Sequence, residues 1–140
     1  MKRIIICGSM SASQQMIELA NTLRHHGYEV VLPEGTELFA TGDKAEMTVG
    51  ESTANKRHGD LIRGYFEEIK RSDIVLVANF AKHGREGYIG GNVFLEFAFG
   101  HVLGKQVYLL YPHDPTAPYA DEILAMDHRV LDGDVSHLEV

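Results

Sequence analysis

RIIICGS, residues 3–9, is a β-branched apolar run closed by a Gly-Ser turn. That is the pattern of a strand buried on both faces of a parallel sheet. The next stretch, ASQQMIELANTLRHHG (12–27), changes period: Met16, Leu19, Ala20 and Leu23 recur at helical spacing, and Gly27 closes the helix. YEVVLP (28–33) returns to strand character and stops at Pro33. Further along, Leu61, Ile62, Tyr65, Phe66 and Ile69 mark one face of a helix, and DIVLVAN (73–79) is the most continuous apolar run in the chain. The loop FAKHGREGYIGG (80–91), an apolar helix, the strand QVYLLYP (106–112), a short helix around Glu122 to Met126 and a terminal RVLDGD (129–134) complete the order. Strand and helix alternate throughout. The expectation is a doubly wound, five-stranded parallel sheet of the Rossmann or flavodoxin type, order 2-1-3-4-5, in three α/β/α layers.

The 140 residues predict one domain, long enough to remove roughly two-thirds of its unfolded surface from water. Residues 34–55 are polar and acidic without a clear period, and the expectation there is a flap over a site. A net charge of −7 argues against nucleic-acid polymers and membrane surfaces as partners, because both are anionic, but leaves room for a small phosphorylated ligand in a local pocket. No apolar run reaches the roughly 18 residues of a membrane-spanning helix, and MKRIIICGSM (1–10) reads as a strand rather than a signal peptide. The single cysteine, Cys7, fits a reducing cytoplasm. Eight histidines show no His-x-x-x-His spacing, so no metal is expected. GSMSAS (8–13) lacks the glycine pattern of a dinucleotide fingerprint or a P-loop, so no cofactor is expected either.

Ligands of such sheets bind beyond the carboxyl ends of the strands, near the switch in strand order. That edge carries Gly8, Ser9, Met10, Asn79 and Tyr111. It also receives GGNVFLEFAFGHVLG (90–104), where Glu96 sits among Phe, Leu, Val and Ala. A charge in an apolar element is costly unless something compensates it. One plain account is the macrodipole, which favours acids in the first helical turn. A capping box does not fit, because with Asn92 as N-cap the third helical position is Leu95. On a helical wheel Glu96 shares its side with Asn92 and Gly100, small neighbours that leave space before the carboxylate, as a substrate pocket requires.

IIICGSM with its following helix, SDIVLVAN, a Gly-bearing loop and GGNVFLEFAFGHVLGKQVYLL together resemble the nucleoside 2-deoxyribosyltransferase family. The likeness covers roughly residues 2–111 and is closest to the branch that hydrolyses 2′-deoxynucleoside 5′-monophosphates. The resemblance implies that Glu96 is a nucleophile on the anomeric carbon, forming a glycosyl ester that a base or water resolves. It implies that Ser9, with the backbone of Gly8 and Met10, holds a 5′-phosphate or 5′-hydroxyl; a helix N-terminus after a Gly-Ser turn is a physically apt anion site, and a simple ST-capped turn is the plain alternative. It further implies a small nucleoside or nucleotide as partner and assembly into homo-oligomers.

Three positions depart from the family pattern. The hydrolase branch carries a tyrosine two residues before its cysteine, where this chain has Ile5. A helper aspartate eight residues before the acid opening strand three is replaced by Tyr65, which shares the apolar face of its helix. The loop positions that bear an acid in the transferases or a phosphate-binding serine in the hydrolases are Gly90 and Gly91. Asp60, read as the start of the same helix and thirteen residues before Asp73, is the candidate replacement acid. The helix rise of roughly 20 Å matches the length of strand three and carries it to the ligand edge, the alternative being an acid beside a helix N-terminus. Asp73 then lies at the opposite edge, as a structural junction. Tyr88 is a base-stacking candidate or a loop aromatic, and Asn92 and Gly91 are candidate contacts to the sugar end. Cys7 is expected in the core. Hydrolysis and base transfer both remain open, and so does a nucleotide-binding or sensing module with catalysis lost. A phosphoribohydrolase of the cytokinin-activating type would carry a Pro-Gly-Gly loop that this chain lacks.

Overall fold

The computed structural model describes residues 1–41 and 51–138, with residues 51–59 described by their backbone alone. The five strands are β1 (Arg3–Cys7), β2 (Glu29–Val31), β3 (Ile74–Val77), β4 (Gln106–Leu109) and β5 (Arg129–Val130). They form one parallel sheet in the order β2-β1-β3-β4-β5. The helices are α1 (Ser13–His25), α2 (Thr36–Ala40), α3 (Glu51–Lys70), α4 (Gly91–Val102) and α5 (Ala120–Ala125). This is the three-layer, Rossmann-like α/β fold that the alternation of strand and helix periods predicts.

Both faces of the sheet are covered, and β1 shows how. Successive side chains of a strand point to opposite faces. Ile4 and Ile6 therefore join Met16, Ala20 and Leu23 of α1, while Ile5 and Cys7 join Ile69 of α3, Val93 and Phe97 of α4 and Ile123 of α5. Each such side chain contributes roughly 1.5–3 kcal/mol on burial. Helix α4 crosses the sheet closely at Gly100, where a Cβ would stand 2.9 Å from Val75 Cγ2 and 3.1 Å from Val107 Cγ2. The register Cys7↔Val77↔Leu109 aligns the carboxyl ends of the three central strands. At the opposite edge Asp73 and Arg3 exchange contacts, Arg3 N donating to Asp73 Oδ2 at 2.9 Å and Asp73 N to Arg3 O at 2.9 Å. Asp73 is thus a helix-to-strand junction. Among the described residues no helix is long and apolar enough to cross a membrane.

Two expectations change. The predicted flap over 34–55 contains α2 and the first turn of α3, while residues 42–50 lie outside the described residues. Asp60 does not open α3 but falls in its middle. The apolar spacing begins only at Leu61, whereas the α3 backbone is already helical from Glu51.

Candidate active site

The turn after β1 builds one wall of the site. Ser9 caps the 3₁₀ turn Met10–Ala12 that leads into α1, its hydroxyl accepting from Ser11 N at 3.3 Å and lying 2.9 Å from Ser11 Oγ. Gly8 is required here by close approach: a Cβ would stand 2.6 Å from Met16 Sδ and 3.3 Å from Ala78 O. The opening of α1, after the 3₁₀ turn, directs the positive end of its dipole to this side of the sheet.

The loop after β3 supplies the facing wall. Lys82 and Arg85 pair their backbones around a tight turn with positive φ at His83 and Gly84. Lys82 Nζ donates to Ser9 Oγ at 2.9 Å and lies 5.9 Å from the centre of the Tyr88 ring, against whose other contact, His83, the rings meet edge to face at 5.3 Å. Among the described residues no carboxylate pairs with Lys82. The loop is held to the segment after β4 by Asp114 N donating to Gly87 O at 3.1 Å and by Arg85 at 3.8 Å from the Asp114 carboxylate. Hydrogen bonds from Thr116 hold the Asp114 carboxyl below its ordinary range. Between the walls lies a small cleft of about 50 Å³, bounded by Gly8, Ser9, Lys82, Tyr88, Gly90 and Val93 among others.

Glu96 does not line this cleft; it follows one helical turn after Val93, a lining residue, on the same side of α4. The helix begins at Gly91 with Gly90, not Asn92, as its N-cap, so Glu96 is in the second turn and no acid occupies the first. The macrodipole acts within the first turn and does not account for this acid. Its surroundings are the lower core: Val93 and Phe97 on α4, Cys7 on β1, and Tyr65 on α3. Burial raises the Glu96 carboxyl to about 7, and a hydrogen bond from the Cys7 thiol opposes that rise. The Cys7 thiol is itself pushed up by burial and by the neighbouring Glu96 charge. Tyr65, whose hydroxyl donates to the Ile6 carbonyl, is raised well above the usual phenol range by burial and by Cys7 and Glu96. A carboxyl titrating near neutrality, half stripped of water and beside a cleft, is suited to nucleophilic or acid-base work.

The structure gathers some of the sequence-derived candidates and disperses others. Gly8, Ser9 and Tyr88 border the cleft, whereas Glu96 is not among its lining residues and lies one turn of α4 beyond Val93. Met10 borders an adjoining, shallower groove with Ser11, Gln15 and Phe39. Asn79 is buried, and its amide is committed to the backbone of Tyr111, donating to Tyr111 O at 2.7 Å and accepting from Tyr111 N at 2.9 Å. Gly91 and Asn92 are exposed in the first turn of α4. Asp60 is 77% exposed and ion-paired with Arg63 at 3.0 Å, apart from the cleft. Lys82 and Cys7 were not legible as site residues: Lys82 reads as one basic residue in a polar loop, and Cys7 as the last apolar residue of a strand.

No protein-family model matches the chain, and no curated protein does.

Proposed function

We propose that the chain cleaves or transfers at the N-glycosidic bond of a nucleoside 5′-monophosphate or nucleoside, with Glu96 as the nucleophile, as its resemblance to the nucleoside 2-deoxyribosyltransferases suggests. The observation that carries this reading is the half-buried Glu96 carboxyl, raised to about 7 one helical turn beyond Val93, which lines the small cleft. Ser9, the N-terminus of α1 and Lys82, which has no carboxylate partner among the described residues, offer hydrogen bonds and positive charge to a 5′-phosphate at the other end. An ionised Glu96 oxygen attacks the anomeric carbon. The carbon–nitrogen bond breaks, its electron pair leaves with the base, and the base nitrogen takes up a proton. Water or a second base then displaces the carboxylate from the resulting ester, inverting the carbon a second time. The apolar wall of α4 limits hydration of the nucleophile and so favours the step.

A second reading is favoured by one specific observation: no carboxylate is among the described residues that line the cleft, and Asp60 is turned to solvent. A nucleotide-binding module without catalysis fits that arrangement. Incubation with a panel of ribo- and deoxynucleosides and their 5′-monophosphates, with chromatography for free base, separates the two. Release by the wild type and not by Glu96→Gln supports the enzyme. Tight binding without release supports the module and sinks the enzyme.

A further inference from the structure

We propose that Asp114 is a positioning residue for Lys82: its buried carboxylate, acting through Arg85, holds the tip of the loop after β3 over the turn that carries Ser9. The consequence for a phosphate rests on the function proposed above; the tether itself does not.

The tip is one closed unit. Lys82 and Arg85 donate their backbone N–H groups to each other's carbonyls, at 3.0 and 2.9 Å, and the two residues between them, His83 and Gly84, have φ of 56° and 72°. Two central residues of positive φ inside such a pair make a tight hairpin turn. A restraint on Arg85 is therefore a restraint on Lys82, whose ammonium donates to Ser9 Oγ at 2.9 Å.

Asp114 applies that restraint from a fixed post. It is 6% exposed, and its Oδ1 accepts from Thr116 N at 2.9 Å and from Thr116 Oγ1 at 2.6 Å. Its other oxygen, Oδ2, is buried, accepts no hydrogen bond among the described residues and faces Arg85 Nη1 at 3.8 Å. A buried carboxylate oxygen without a donor is costly, and a facing guanidinium offsets that cost. The same segment grips the loop elsewhere, nearer its C-terminal root. Asp114 N donates to Gly87 O at 3.1 Å, and the Tyr119 hydroxyl donates to Ile89 O. Gly87 lies so close that a Cβ would stand 1.9 Å from the Pro112 carbonyl oxygen. Those contacts fix residues 87–89. The Arg85 pair is the contact that reaches the tip.

Positioning and field act in opposite directions here. Loss of a negative charge beside an anion site strengthens anion binding by the field alone. Loss of a residue that holds Lys82 in place weakens it. The lysine stem is flexible and recovers part of the geometry, so the weakening is partial.

The test uses the intact chain and inorganic phosphate, titrated against the backbone amides of residues 9–12 by NMR. Asp114→Asn keeps an acceptor for Thr116 and removes the attraction on Arg85. It is expected to weaken phosphate by about threefold to tenfold, Arg85→Gln by as much, and the double variant by no more than either alone. Arg85→Lys stays within about twofold of wild type. Without phosphate, amide hydrogen exchange at Lys82 and Arg85 is at least about fivefold faster in Asp114→Asn, while the amide of Phe97 in the core is unchanged. Unchanged or tighter phosphate binding in Asp114→Asn, losses that multiply in the double variant, or unaltered exchange at the tip overturns the proposal. If Asp114→Asn does not fold, exchange at the Lys82 amide in Arg85→Gln against Arg85→Lys decides it. A wild type that binds no phosphate removes the anion reading of the cleft and the part of Asp114 in it, while the exchange rates still decide the tether.

Discussion

Lys82 Nζ stands 2.9 Å from Ser9 Oγ, joining the loop after β3 to the turn after β1 across the mouth of the cleft. With no carboxylate partner among the described residues, the ammonium is available to an incoming anion in a chain whose net charge is −7. A 5′-phosphate would receive charge-assisted hydrogen bonds from Lys82 and Ser9, each worth about 1.5–3 kcal/mol. Lys82→Ala is therefore expected to weaken a nucleoside 5′-monophosphate by about tenfold to a hundredfold in calorimetry. Binding of the matching nucleoside should change by less than about threefold. Equal losses for both ligands would place the phosphate elsewhere.

The pH dependence follows from the Glu96 carboxyl at about 7. A nucleophile must be ionised, so base release should rise with pH and level off above about 8, falling roughly fiftyfold between pH 7 and pH 5. A rate that instead falls with rising pH would make Glu96 a proton donor. Stability moves the other way. The folded state holds the Glu96 proton more tightly than the unfolded chain, whose carboxyl titrates near 4.5. Between about 4.5 and 7 the native state therefore binds more protons, and stability declines as pH rises through that window. Glu96→Gln removes this penalty. Its urea midpoint should exceed the wild type's at pH 8, by roughly 2–3 kcal/mol at most, with little difference at pH 4.5.

Tyr65 occupies the α3 position where the family resemblance would place an aspartate, and its hydroxyl is donated to Ile6 O. Tyr65→Phe leaves that buried carbonyl without its partner and should cost about 1–2 kcal/mol, read as a lower urea midpoint with an unchanged slope. An unchanged midpoint would mean that water or a neighbour satisfies the carbonyl equally well.

The strands and packed helix faces were legible because burial writes periodicity into the chain: β-branched runs at Ile4–Ile6 and Ile74–Val77, and apolar spacing in α1. The order of the sheet was assumed from the common doubly wound arrangement and is the one the structure shows. Residues 51–60 of α3 carry no apolar period in the sequence, so Asp60 was placed at a helix start it does not occupy. Within the site, Glu96 was legible because a carboxylate among Phe and Leu is anomalous in any sequence. Ser9 was legible because a Gly-Ser turn between strand and helix has one geometry. Asn79 looked like an edge ligand, and only the tertiary register shows its amide bound to Tyr111. Lys82 and Cys7 depend on which loop folds over which strand end, information that local spacing does not hold.

Gly100 lies four residues beyond Glu96 on α4 and sets how closely the helix approaches the sheet. A Cβ there meets methyl groups of Val75 and Val107 at 2.9 and 3.1 Å, and β-branched side chains have little rotamer freedom with which to withdraw. Gly100→Ala must therefore lift α4, with an overpacking cost of about 1–3 kcal/mol despite alanine's better helix propensity. The displacement carries Glu96 with it, whereas Ser9 and Lys82 sit on other elements and stay in place. Base release should fall more than about tenfold, since misplacement by about 1 Å is worth up to a hundredfold, while calorimetric affinity for the monophosphate stays within about threefold of wild type. Equal loss of affinity and rate would show that the two ends of the cleft move together, and unimpaired release would show that the nucleophile is not set by the depth of α4.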